Sequence, residues 1–163
     1  VSDNAKAQIT PPANSLRMKA GGRFAAIDAD AIAKAEAALK SLSGQFAQWL
    51  DDEIKKLDAA RADVQARGYN PETSESLYLR AHDLKGLGST YEFPLITRIA
   101  GSLCKLTDSP ERRERASLFL IDAHIDAIKA CVRDNIRDEG HPTGKVLAEE
   151  LEKRVAESLA AED

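Results

Sequence analysis

The chain holds one methionine, one tryptophan, two cysteines and few aromatics in 163 residues, and each scarcity excludes something. No apolar run approaches the roughly 20 residues needed to cross a bilayer, so no membrane span is expected. No secretory hydrophobic segment opens the chain either. Cys104 and Cys131 fall in expected helices and lack metal-site spacing, so they read as reduced, buried thiols of a cytoplasmic protein. His-Glu-x-x-His and Cys-x-x-Cys are missing and the histidines gather no carboxylates, so no metal site is expected. The net charge of −4 disfavours nucleic acid, whose phosphates require clustered Lys and Arg. β-Branched alternation and Asn-Gly or Asp-Gly turns are absent, so no strand is expected.

What remains is helical. An apolar fraction of 43% and a charged fraction of 31% suit one folded domain with a real core. Residues 1 to about 25, with Pro11-Pro12 and Gly21-Gly22, read as a flexible tail, and residues 26–163 as a single helical domain. Asp28 is placed to cap an alanine-rich helix over 29–40. Ser43 is placed to cap a second helix to about Ala66 whose apolar side holds Phe46, Trp49, Leu50, Ile54, Leu57 and Val64, and Gly68 ends it. Asn70-Pro71-Glu72 supplies a cap, a first-turn proline and an early carboxylate for a helix from Asn70 to Tyr91. Tyr91-Glu92-Phe93-Pro94 breaks it. The next helix runs to about Leu106, with Leu95, Ile96, Ile99, Leu103 and Leu106 inward.

Ser109-Pro110-Glu111 repeats the capping signal and opens a long helix to about Arg137, lined by Leu118, Ile121, Ile125, Ile128 and Val132. After Gly140-His141-Pro142 a last amphipathic helix spans roughly 143–160, carrying Leu147, Leu151, Val155 and Leu159. Its other side pairs Glu149 with Lys153 and Glu150 with Arg154 at four-residue spacing. Short links between amphipathic helices imply antiparallel neighbours. The expected fold is all-α, an antiparallel up-down four-helix bundle over about 43–139 with additional N- and C-terminal helices.

One stretch points beyond fold: Arg80-Ala81-His82-Asp83-Leu84-Lys85-Gly86-Leu87-Gly88-Ser89. Leu77, Ala81, Leu84, Gly88 and Tyr91 follow four- and three-residue offsets, which marks the buried face of a helix. His82 points away from that stripe. Lys85, Gly86 and Ser89 lie on the histidine's side, one and two turns on, and Leu79 sits one turn before it. A side chain that carries a phosphoryl group needs such an arrangement: a solvent-facing imidazole, a nearby cation and no bulk over the ring. Glycine costs about 1 kcal/mol against alanine inside a helix. Helix contact accounts for Gly88, but packing within a bundle does not account for Gly86. His124, at the edge of an apolar face, reads as a partly buried, hydrogen-bonded imidazole, and His141 as a loop or cap residue.

His82-Asp83-Leu84-Lys85-Gly86 resembles the His-x-Leu-Lys-Gly signature of histidine-containing phosphotransfer domains, four-helix bundles that shuttle phosphoryl groups between receiver-domain aspartates. The resemblance covers about residues 43–139. It implies that His82 is phosphorylated, that Lys85 pairs with the phosphate and that Gly86 clears space above the imidazole. Leu79, Asp83 and Ser89 would flank the site on the docking surface. Two positions depart: the family often has glycine ten residues after the histidine, where this chain has Glu92, which implies a differently built turn, and Asp83 beside the histidine is more acidic than in many members.

A free imidazole titrates near about 6.5, so an exposed one is largely neutral at neutral pH and able to attack phosphorus. The implied partners are receiver domains of response regulators or hybrid histidine kinases. They would bring Mg²⁺ and a lysine, and this chain would need no cofactor of its own. It would be a carrier working as a monomer, without ATP-dependent kinase activity, because no length remains for a nucleotide-binding domain. The competing reading is a helical adaptor or inhibitor that docks on receiver or kinase domains without being phosphorylated; such a protein has no need of Lys85 and Gly86 together.

Overall fold

Helix ends follow local chemistry at most junctions. The computed structural model of the protein describes residues 21–161, with side chains from residue 28 onward. Six helices occur among these residues and no strand: α1 (Gly21–Arg67), α2 (Pro71–Leu87), α3 (Pro94–Thr107), α4 (Pro110–Arg115), α5 (Leu118–Arg133) and α6 (Pro142–Ala160). The expected tail lies outside the described residues up to residue 20, and residues 21–25 belong to α1. Gly68 ends α1 at φ 84°, a left-handed conformation that glycine enters without steric cost. The Asn70 side chain then accepts the Thr73 N–H at 3.0 Å, while the Thr73 hydroxyl accepts the Asn70 N–H at 3.0 Å. Pro71 occupies the first turn of α2.

Two expected boundaries are corrected. Asp28 and Ser43 cap nothing, because α1 is one uninterrupted helix. The intervening Ser43-Gly44 weakens helix propensity, but without proline every N–H remains available for the ladder. Conversely, the long helix expected from Ser109 to Arg137 is two helices. Ser109 accepts from Arg112 N–H at 3.2 Å and starts α4. Ala116 is extended and Ser117 caps α5 by accepting from Leu120 N–H. The Tyr69 hydroxyl donates to the Arg113 carbonyl at 2.7 Å, which holds α4 against the α1–α2 turn. Arg113 and Arg112 in turn donate to the carbonyls of Thr107 and Lys105, satisfying the C-terminal end of α3.

The chain divides into two compact units, Val1–Leu42 and Ser43–Asp163. In the first, residues 28–42 are helical and exposed throughout, with an ion pair between Asp30 and Lys34 at 3.0 Å. The second holds the core. Helix α3 is central to it and packs against α2, α4, α5 and α6. Its Leu95, Ile96, Ile99, Leu103 and Leu106 are all essentially inaccessible, as their spacing requires. From α1 come Leu50, Ile54, Leu57 and Val64, and from α5 come Ile121, Ile125 and Ile128. Trp49 and Leu118 are exceptions: both remain exposed, Trp49 tilted against Phe46 and Tyr91. Arg61 of α1 reaches Asp122 and Asp126 of α5 at 2.8 Å each, and Lys129 reaches Asp58 at 2.8 Å. On α6, Glu150 pairs with Arg154 at 2.8 Å, whereas Glu149 pairs with Lys145 at 3.8 Å rather than with Lys153.

His124 is fully buried, not at an edge. Its Nδ1–H donates to the Leu120 carbonyl at 2.7 Å, so its Nε2 is the acceptor for the Ser102 hydroxyl at 3.0 Å. The ring thereby ties α5 to α3 in one tautomer. Both cysteines are buried free thiols; burial pushes Cys104 up to about 11 and raises Cys131 as well.

Burial lowers the pKa of His124 despite the hydrogen bond to Leu120. Between that lowered value and the unfolded value of about 6.5, the unfolded chain binds a proton that the folded chain refuses. Stability is therefore complete above about pH 6.5 and falls as the pH drops below it, by up to ~1.4 kcal/mol per pH unit. Urea midpoints measured from pH 7.5 to 5 should show this decline, and His124→Gln should flatten it. A wild-type midpoint independent of pH over that range would contradict the burial argument.

Candidate functional site

The face of α2 opposite the core carries the candidate residues. Leu77, Ala81 and Leu84 bury the inner stripe, and His82 projects into solvent. Tyr78, one turn earlier, places its ring centroid 6.0 Å from that of His82, with the planes tilted at 47°. The Arg113 guanidinium lies 5.2 Å from the Tyr78 centroid on α2's α4 side. A tyrosine held by a cation thus flanks the imidazole.

Lys85 is exposed on the turn after His82, and both line one open depression of about 370 Å³ between α2 and α3. Gly86 is exposed as well, and a methyl group built there would meet nothing within 4 Å. The protein's own packing therefore places no demand for glycine at 86. Gly88 is the opposite case: a Cβ would fall 2.6 Å from Thr97 Oγ1, 2.7 Å from Thr97 N and 3.0 Å from the Phe93 carbonyl. Only glycine lets α2 end this close to the start of α3.

Of the flanking residues, Leu79 is 46% exposed. Asp83 is partly occupied by Arg80 at 3.4 Å. Ser89 is exposed, but α2 stops at Leu87 and Ser89 falls in the turn that follows. Its N–H and hydroxyl both donate to Thr97 Oγ1, at 2.8 and 3.2 Å, so it serves the α2–α3 junction. The helical ladder stops short of Tyr91 because the Ser89 N–H is taken by Thr97, and the Gly88 carbonyl accepts from Phe93 N–H at 2.8 Å to close the turn. Glu92 sits in that turn at φ 66°, the left-handed region that glycine prefers. The turn therefore has the backbone form a glycine would suit, and Glu92 holds it while pairing with Arg137 at 3.1 Å.

Several residues of the site carry no signal in sequence. Arg98, Gly101, Lys105 and Glu152 line the same depression but come from α3 and α6. Arg98 forms two parallel bonds to Glu152, at 2.7 and 2.8 Å, and a third to Glu139 at 2.8 Å. Only Tyr78 lay within reach of sequence reasoning, four residues before His82 on the same helix face. Among the described residues no group of three or more His, Cys, Asp or Glu side chains is arranged to hold a metal ion, and no helix is long and apolar enough to cross a membrane. No family model, curated protein or solved structure matches the chain.

The two glycines make opposed predictions for stability. Gly86→Ala should stabilise the protein by up to ~1 kcal/mol, the propensity difference at an exposed helical position. Gly88→Ala should destabilise it by about 1–3 kcal/mol, because the Thr97 backbone must move. Denaturant unfolding of both variants checks this, and equal effects would contradict the assigned geometry.

Proposed function

We propose that the protein is a histidine phosphotransfer protein of a multistep phosphorelay, which takes a phosphoryl group from one receiver-domain aspartate and passes it to another through His82. The observation that carries this reading is the pairing of an exposed imidazole and Lys85 at one depression, beside a glycine that intramolecular packing does not require. The His-x-Leu-Lys-Gly signature lies on a helix whose inner stripe is buried and whose histidine faces out, as a carrier requires. In this reading the antiparallel four-helix bundle consists of the Ser43–Arg67 part of α1 with α2, α3 and α5, and α6 is the additional C-terminal helix.

The chemistry balances without a cofactor on this chain. A neutral His82 ring nitrogen donates its lone pair to the phosphorus of an aspartyl phosphate. The N–P bond forms as the P–O bond to the aspartyl carboxylate breaks, and the carboxylate leaves with that electron pair. The other ring nitrogen keeps its proton, so the phosphorylated ring is cationic beside a dianion. Lys85 offsets the transferred negative charge, modestly because the site is open to solvent and salt. Mg²⁺ and the remaining charge neutralisation come with the receiver domain. Return to a second receiver reverses each step.

Leu79 contributes an apolar contact to a docking surface of the small kind used in transient signalling, below about 1,200 Å². Tyr78 and the ion-paired Asp83 border it.

Mixing the protein with a labelled phosphorylated receiver domain tests the proposal. Wild type should acquire acid-labile, base-stable label and His82→Gln none; label on both would remove His82 from its role. Binding without label on wild type would favour the non-phosphorylated adaptor. Leu79→Asp should lower the transfer rate about tenfold with an unchanged melting temperature, and an unchanged rate would take Leu79 off the docking surface.

A further inference from the structure

The charges around the depression do not cancel, and the residue responsible lies outside the α2 motif. Six side chains lining it bear or can bear charge: His82, Lys85, Arg98, Lys105, Asp108 and Glu152. Three of these are already matched: Arg98 with Glu152 at 2.7 Å, and Asp108 with Arg112, outside the depression, at 2.8 Å. Lys85 and Lys105 are exposed, and neither has a carboxylate within 4 Å among the described residues, whose other lysines and arginines mostly do. The two unmatched lysines come from facing helices, twenty positions apart in sequence, and both line the depression that His82 lines. Gly101, one turn before Lys105 on α3, has the Lys85 stem lying across it: a Cβ there would touch Lys85 Cγ and Cδ at 3.9 and 4.0 Å. Lys85 is thereby laid toward α3 and toward the side on which Lys105 stands.

Two unmatched like charges bordering one depression favour an anion lying between them. The Arg98 side chain cannot serve that purpose, since Glu152 and Glu139 hold its guanidinium on both sides. We propose that Lys105 is a second phosphate-holding residue, and that the depression accepts the phosphoryl dianion of His82 between Lys85 and Lys105. This rests on the phosphotransfer reading and adds to it a contact from α3. In the free protein Glu152 attracts Lys105 without pairing with it, and the incoming dianion replaces that weaker attraction at closer range.

Phosphoramidate is the probe, because it phosphorylates an imidazole without any docking partner. The histidine nitrogen forms the N–P bond, the P–N bond of the reagent breaks, and ammonia leaves with its electron pair. The labelling rate and the lifetime of the product are measured on the full chain for wild type, Lys105→Gln, Lys105→Arg and His82→Gln, with Lys129→Gln on α5 as a control. Lys105→Gln should label His82 about three- to tenfold more slowly than wild type, with an unchanged melting temperature. Lys105→Arg should recover most of the rate and Lys129→Gln all of it, and raising the salt should shrink the difference. Equal rates for wild type and Lys105→Gln would overturn the role of Lys105 and leave His82 in place. Undiminished label on His82→Gln would overturn the phosphotransfer reading beneath it.

Discussion

The close approach of α2 to α3 at Gly88 governs the rest of the site. With no side chain at that position, the end of α2 meets the backbone of Thr97 at a distance no Cβ would allow. That contact fixes the rotation of α2: Leu77, Ala81 and Leu84 turn inward, and His82 therefore turns out. It also brings α3 near enough for Lys105 to share a depression with Lys85. The Ser89 and Thr97 hydrogen bonds and the left-handed Glu92 serve the same junction. A helix rotated by one residue would bury the imidazole and expose the core stripe.

Around that fixed geometry the protein treats its cations unequally. Arg98 is bound on both sides by carboxylates, and Arg61 bridges two aspartates of α5. Those pairs hold helices in register, and at the surface each contributes little to stability. Lys85 and Lys105 are left unmatched beside the histidine. Of the other histidines, His124 is consumed by structure, bonded at both nitrogens inside the core, and His141 is the N-cap residue of α6, with no side-chain hydrogen bond to the helix. His82 alone combines exposure with adjacent unpaired positive charge.

The helices of the core were legible wherever apolar spacing and capping chemistry agreed. Asn70-Pro71 marked the start of α2, Gly68 the end of α1, and the inward face of α3 followed from its leucines and isoleucines. The failures have two causes, one local and one tertiary. Ser43-Gly44 looks like a helix start, yet without a proline nothing interrupts the ladder. The break at Ala116 is invisible locally, because it depends on Tyr69 and on the α3 carbonyls that α4 must satisfy. Within the site, His82, Lys85 and Gly86 were readable because they share one helix. Lys105, Arg98 and Glu152 were not, since their arrival depends on how α3 and α6 pack.

The central claim is that one particular ring carries the phosphoryl group. It is tested most directly by phosphorus–nitrogen coupling in the ¹⁵N-labelled protein, recorded after incubation with a phosphorylated receiver domain. The account predicts a single coupled imidazole, assigned to His82, with His124 and His141 unchanged. Coupling on either of those two rings, or a stable receiver complex with no coupled ring, would contradict it.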